Sequence, residues 1–122
     1  EAATYDAVDA VGILEYVPEV LSDESPTALQ VNAATFLAHA AQLVKPGGLL
    51  LVGNMRDTHP QLGFTLNVVQ WPHIQPRSIE MMRRIVRAAG LGDWRVDVYC
   101  PDDGVYALYA MHRPKVGDTL EI

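Results

Sequence analysis

The sequence predicts an α/β fold, half of a doubly wound sheet, and three observations carry that prediction. The run Leu43 to Met55, LVKPGGLLLVGNM, reads as a helix end, a two-glycine turn and a strand. Lys45 sits where a helix C-terminus favours a cation, Pro46 cannot continue the helix, and Gly47 and Gly48 allow the turn. The strand itself, Leu49 to Val52, is four apolar residues without alternation, the pattern of a strand covered by helices on both faces. The third observation is order: strand, helix, strand, helix and a terminal hairpin. Such an order makes the first two strands parallel neighbours joined by a right-handed crossover, with the hairpin as an antiparallel addition.

Composition narrows the class. The 122 residues are 49% hydrophobic and 20% charged, which is one globular domain. No apolar run approaches the roughly 20 residues that span a bilayer. The start, Glu1-Ala2-Ala3-Thr4, has neither an initiator Met nor a basic-then-apolar leader, so the expectation is a soluble chain that begins in mid-sequence. Cys100 is the single cysteine, which rules out an internal disulfide, lends little to a metal site and fits a reducing cytoplasm. A formal charge of -6 opposes nucleic-acid binding. Arg77, Arg83, Arg84 and Arg87 nevertheless form a local basic stripe, expected to be a solvated helix face.

Each element has its local reason. Val8, Val11 and Ile13 argue for a first strand over Tyr5 to Ile13 that starts wet and ends dry, because Asp6 and Asp9 resist burial. Glu15 and Tyr16 follow just past its C-terminal end, where open parallel sheets bind ligands. Ser25 and Pro26 read as the N-cap and first turn of the first helix. Along it Leu29, Ala33, Phe36, Leu37, Ala40, Leu43 and Val44 recur at helical spacing, leaving Asn32, Thr35, His39 and Gln42 on another face. The long connection from Asn54 to Pro76 has the length of a functional lid or binding loop, with a short helix expected around 62–69. Ser78 caps the next helix, which turns Ile79, Met82, Ile85, Val86 and Ala89 inward and stops at Gly90. WRVDVYC and VYALYAMH flank PDDG as a hairpin with Gly104 at positive φ.

GILEYVP at the first strand's end, LVKPGG, LLLVGNM, RAAGL and the terminal hairpin together resemble the C-terminal half of class I S-adenosylmethionine-dependent methyltransferases. The resemblance covers roughly residues 4 to 114 and corresponds to that family's strands four to seven. It implies a partial Rossmann-like methyltransferase fold, parallel strands with flanking helices and a C-terminal antiparallel hairpin, as residues 1–122 of a domain whose N-terminal half is absent. The family's glycine-rich loop and its ribose-holding acid lie upstream of anything in this sequence. What the resemblance assigns here is the cofactor wall near the methionine moiety and sulfonium: Gly12, Ile13, Leu14 and Tyr16.

Methyl transfer from a sulfonium needs an aligned acceptor, excluded water and, for some acceptors, a base. Asn54 is a candidate to orient an acceptor, and His59 and His73 are candidate general bases near neutral pH. Glu15 either contacts an acceptor or caps the next turn, and Trp71 either walls a substrate pocket or packs. The segment from Asn54 through Trp71 to Arg77 and Ser78 resembles a group of bacterial methyltransferases, some of which esterify fatty-acid-derived carboxylates.

The expected function is therefore S-adenosylmethionine-dependent methyl transfer to a small-molecule acceptor in a longer parent, with little activity in this chain alone. The alternative is a non-catalytic dimerisation module. Half of a nucleotide-binding oxidoreductase is disfavoured, since no phosphate-cradling glycine loop is present. An unpaired first strand, normally central in such a sheet, implies a homo-oligomer that covers its edge. No metal, nucleic acid or membrane partner is expected.

Overall fold

The computed structural model describes residues 4–17, 32–58, 60 and 74–115. In chain order these form β1 (Tyr5–Ala10), a 3-10 turn (Leu14–Tyr16), α1 (Ala33–Gln42), β2 (Val44–Met55), α2 (Ile79–Ala88), β3 (Arg95–Tyr99) and β4 (Tyr106–His112). The four strands make one sheet in the order β1-β2-β4-β3. β1 and β2 are parallel, with Val8 opposite Leu50 and Ala10 opposite Val52. β4 runs antiparallel to both β2 and β3, so the terminal hairpin joins the sheet through its second strand.

β1 is wet at its start and buried only at Ala10, as the aspartates demand. It stops three residues short of Ile13. Gly12 takes φ +85 in the turn that ends it, and Asp9 Oδ1 accepts the Val11 N–H at 2.9 Å.

α1 begins at a true cap. Asn32 is extended, its Oδ1 accepts the Thr35 N–H at 3.0 Å, and the Thr35 hydroxyl accepts the Asn32 N–H at 3.0 Å. The helix of Ala33–Gln42 therefore cannot run unbroken from Ser25, and the expected Ser25-Pro26 start lies outside the described residues. Asn32 and Thr35, read from the sequence as a polar helix face, form this capping box instead.

LVKPGG also folds differently from its reading as a helix end. The helix is over at Gln42, and β2 starts at Val44 opposite Tyr5. While β1 advances from Tyr5 to Ala7, β2 advances from Val44 to Leu49, so KPGG bulges out of the strand. Gly47 has φ +83 and its N–H donates to the Arg113 carbonyl at 3.0 Å, while the Arg113 N–H donates back to the Gly48 carbonyl at 3.0 Å. Gly48 is required for closeness: a Cβ there would lie 2.8 Å from the Asp6 carbonyl oxygen. Lys45 pairs with exposed Asp6 at 2.7 Å rather than with a helix terminus.

Both described helices pack on one face of the sheet. Leu37 and Ala41 of α1 and Met82, Ile85 and Val86 of α2 join Leu50, Val52, Ala107, Tyr109 and Met111 in a single core. The opposite face presents Leu49, Leu51 and Leu108, each half-buried. The sandwich expected from the unalternating LLLV is thus one-sided among the described residues. α2 matches its pattern: Ser78 Oγ accepts the Met81 N–H at 3.0 Å, and Gly90 follows the helix at φ +81. Gly104 has φ +72 in the hairpin turn, as expected.

Candidate functional site

The parallel strands β1 and β2 end side by side, and the residues beyond them are held by the extended stretch 74–78 that leads into α2. The Gln75 N–H donates to the Glu15 carbonyl, and the Arg77 N–H donates to the Met55 carbonyl at 2.8 Å. The Arg77 side chain, 2% exposed, then reaches inward. Its Nη1 donates to the Leu14 carbonyl and to Asn54 Oδ1, both at 2.9 Å, and its Nη2 donates to the Val17 carbonyl. Asn54, fully buried, closes the network by donating through Nδ2 to the Met55 and Gln75 carbonyls, each at 2.9 Å. A planar fork suits this job because its donors diverge at fixed angles toward acceptors on separate segments.

The second cluster is built around Tyr106, the first residue of β4, which stands opposite Met55. Its ring lies across β2 at Gly53: a Cβ on Gly53 would come within 2.6 Å of Tyr106 Cε2 and 2.8 Å of its hydroxyl. Glycine inside a strand marks such a close approach. From there the hydroxyl hydrogen bonds the Glu15 carboxylate and lies against the Gly12 backbone. Burial first, then the negative charge and hydrogen bond of Glu15, push the Tyr106 hydroxyl up to about 12. It remains a neutral donor at physiological pH. Glu15 is itself 5% exposed, and its Oε1 has no hydrogen-bond partner among the described residues. A buried carboxylate oxygen left unmatched at the ends of parallel strands calls for an explanation, and such strand ends are where open parallel sheets bind ligands.

The structure separates the sequence candidates. Gly12, Ile13 and Tyr16 lie on the exposed turn after β1, with Ile13 46% and Tyr16 41% exposed, and Gly12 faces open space where a Cβ would sit. Leu14 belongs to the core, and only its carbonyl takes part, as an Arg77 acceptor. Asn54 sits beside this turn with both amide hydrogens committed to backbone carbonyls. Glu15 stands at the centre of the cluster. His59, His73 and Trp71 lie outside the described residues.

Two residues escaped the sequence reading. Arg77 was expected on a solvated basic stripe, yet it is buried and belongs to the strand-end network. Its position before the helix cap Ser78, off the helical register of Arg83 and Arg87, was the available signal. Tyr106 is found only through Gly53, the interruption in an otherwise apolar strand. Among the described residues no group of three or more His, Cys, Asp or Glu could hold a metal ion.

With a parallel pair, an antiparallel return and a site at the strand ends, the chain has part of the fold of a class I S-adenosylmethionine-dependent methyltransferase. It is similar to an O-methyltransferase family protein from Burkholderia thailandensis, with 26% identity over 90% of this chain and 30% of that one, at a TM-score of 0.58. It is also similar to a methyltransferase described as a possible histamine N-methyltransferase from Thermotoga maritima, with 14% identity over 93% of this chain and 58% of the other, at a TM-score of 0.60. Magnesium protoporphyrin IX methyltransferase from Synechocystis, solved with S-adenosylhomocysteine bound, shares 16% identity over 93% and 47% of the two chains, at a TM-score of 0.56. This chain thus spans between 30% and 58% of these three proteins. No family model and no curated protein matches the sequence.

Arg77→Lys is expected to lower the unfolding free energy by about 2 kcal/mol, because a single ammonium cannot serve the Leu14, Val17 and Asn54 oxygens together. Urea denaturation measures this, and an unchanged midpoint and slope would show that the network carries no stability.

A pH effect follows from the tyrosines. Burial also pushes Tyr109 up to about 12, with Cys100 and Asp57 adding to the rise and Arg56 opposing it. Both groups bind their protons more tightly folded than unfolded, so the stability they contribute is complete below pH 10 and lost as pH rises through about 12. Alkaline unfolding should flatten in a Tyr106→Phe/Tyr109→Phe variant, and identical pH profiles would contradict the assignment.

Proposed function

We propose that this chain forms one wall of the active site of a methyltransferase that uses S-adenosylmethionine and acts on a small-molecule acceptor. The observation that carries the reading is the buried, unpartnered Glu15 Oε1 at the ends of the parallel strands, beside the exposed Gly12–Tyr16 turn. In this reading residues 1–122 correspond to the later strands of the domain, strands four to seven. The family's glycine loop and ribose-holding acid have no counterpart among these residues. The cofactor, when bound, supplies an electrophilic methyl group on a sulfonium.

The chain's own residues do the rest. Gly12 leaves room for close approach, and Ile13 and Tyr16 cover the cofactor's apolar and cationic surfaces. Glu15 accepts a hydrogen bond from an N–H or O–H donor of the ligand, and its charge favours a cation nearby. Tyr106, kept protonated, fixes the other Glu15 oxygen so that Oε1 stays directed at the site. Asn54 acts as a positioning residue through Arg77, which holds the Leu14–Val17 turn in place. For acceptors that must lose a proton, His59 or His73 is proposed as the base, with Trp71 as a pocket wall. We place the protein in the cytoplasm on the strength of its single cysteine.

A second reading, a non-catalytic dimerisation module, is favoured by one observation. β1 is an edge strand among the described residues, and Tyr5, Val11, Ile13 and Tyr16 on and just after it are exposed. Such an edge invites pairing with a second copy.

Calorimetric titration with S-adenosylmethionine distinguishes the two. The 122-residue chain should bind weakly, and a chain extended by the residues its gene encodes upstream should bind in the micromolar range. In that extended chain Glu15→Gln should weaken binding about tenfold. Tight binding by the 122 residues alone, or an indifferent Glu15→Gln, would overturn the reading. Sedimentation should show self-association of the 122-residue chain that Val8→Pro on the open edge reduces; a monomer at high concentration removes the case for a homo-oligomer.

A further inference from the structure

Tyr106 and Tyr109 are three residues apart on β4 and so project to opposite faces of the sheet. Tyr106 serves the strand-end cluster. Tyr109 lines a cavity of about 300 Å³ on the helix-covered face, between α2 and the β3–β4 edge. That volume is at the lower end of small-molecule sites, which run from roughly 300 to 1,000 Å³.

Its walls have two characters. Val86, Leu91, Trp94 and Val98 supply an apolar and aromatic lining. Arg83 and Arg87 stand along the same side of α2, one turn apart, and also border the cavity. Arg83 is paired with Glu80 at 2.6 Å, but both side chains are more than half exposed, so the pair is weak and exchangeable. Among the described residues Arg87 has no ion pair.

An independent feature lies deeper. Tyr109 is 2% exposed, and its hydroxyl is buried without a hydrogen-bond partner among the described residues. A buried hydroxyl left unmatched costs stability. A solvated helix face explains the arginines alone; it explains neither the apolar hollow beneath them nor the unmatched hydroxyl of Tyr109, one of the residues that line it.

We propose that this cavity is a second ligand site, separate from the strand-end site, that takes a small aromatic or branched-alkyl carboxylate. The apolar body packs against Trp94 and Val98, and the carboxylate is held by Arg83 and Arg87, whose forks match its two oxygens. Tyr109 then donates to, or accepts from, a polar atom carried on the ligand body. The chain as a whole carries a formal charge of -6, so an anion is drawn to this face and repelled by most others.

The test is a two-dimensional NMR titration of the isotope-labelled chain with 3-(4-hydroxyphenyl)propionate, whose phenol supplies the polar atom for Tyr109, and, separately, with its neutral amide. Saturable shifts are expected at the Trp94 indole and at Val96 and Val98, with the amide weaker by about fivefold or more. Arg83→Gln/Arg87→Gln should weaken the acid about tenfold and leave the amide unaffected. Tyr109→Phe should weaken binding without lowering stability, since it removes an unmatched hydroxyl. Val98→Trp, which fills the hollow from an edge strand, should abolish the shifts. Equal binding of acid and amide, wild-type affinity in the double arginine variant, or no saturable shift at millimolar probe would overturn the proposal.

Discussion

The buried guanidinium of Arg77 is the constraint on which the site depends. It joins three pieces of chain far apart in sequence: the turn after β1, the end of β2 and the segment entering α2. Hydrogen bonds to a charged donor are stronger than neutral ones, and inside the protein they are screened less than at the surface. The turn carrying Glu15 therefore has little freedom. Besides that tether, the Leu14–Tyr16 turn has its own short backbone hydrogen bonds, the one from Gln75 and the Tyr106 contact with Glu15.

A fixed turn allows the carboxylate to be buried without full satisfaction. One side of Glu15 is matched by Tyr106, whose reach across β2 exists because position 53 has no Cβ. Its Oε1 is unmatched among the described residues. Unsatisfied buried acceptors are costly and concentrate where a ligand completes them. The Tyr109 hydroxyl, on the opposite face, is another of the five buried side-chain polar atoms that have no partner among the described residues.

The sheet itself is asymmetric. α1 and α2 share one face, and the half-buried leucines Leu49, Leu51 and Leu108 occupy the other. Among the described residues β1, which carries the candidate site at its end, lies at an edge, with exposed Tyr5 on it and exposed Val11 and Ile13 just after it.

Much of the fold was legible in the residues. The apolar run Leu49–Val52 announced a core strand, Ser78 and Gly90 bounded a helix, and Gly104 located a hairpin, because caps, turns and periodicity are written locally. The position of Glu15 and Tyr16 just beyond a strand was likewise readable from order alone. Local signals failed where a distant partner overruled them. KPGG reads as a helix stop, but Tyr5 and Arg113 pull it into a bulged strand. The Asn32–Thr35 cap, by contrast, was a local signal that the reading passed over. Arg77 looked like surface charge, since nothing within a few residues of it shows that the Leu14, Val17 and Asn54 oxygens converge there. The sequence by itself determined the kinds of element and their order, which depend on neighbours one to four residues away. Only the tertiary structure decided which polar groups are buried and which are left unmatched, because those depend on contacts between residues tens of positions apart.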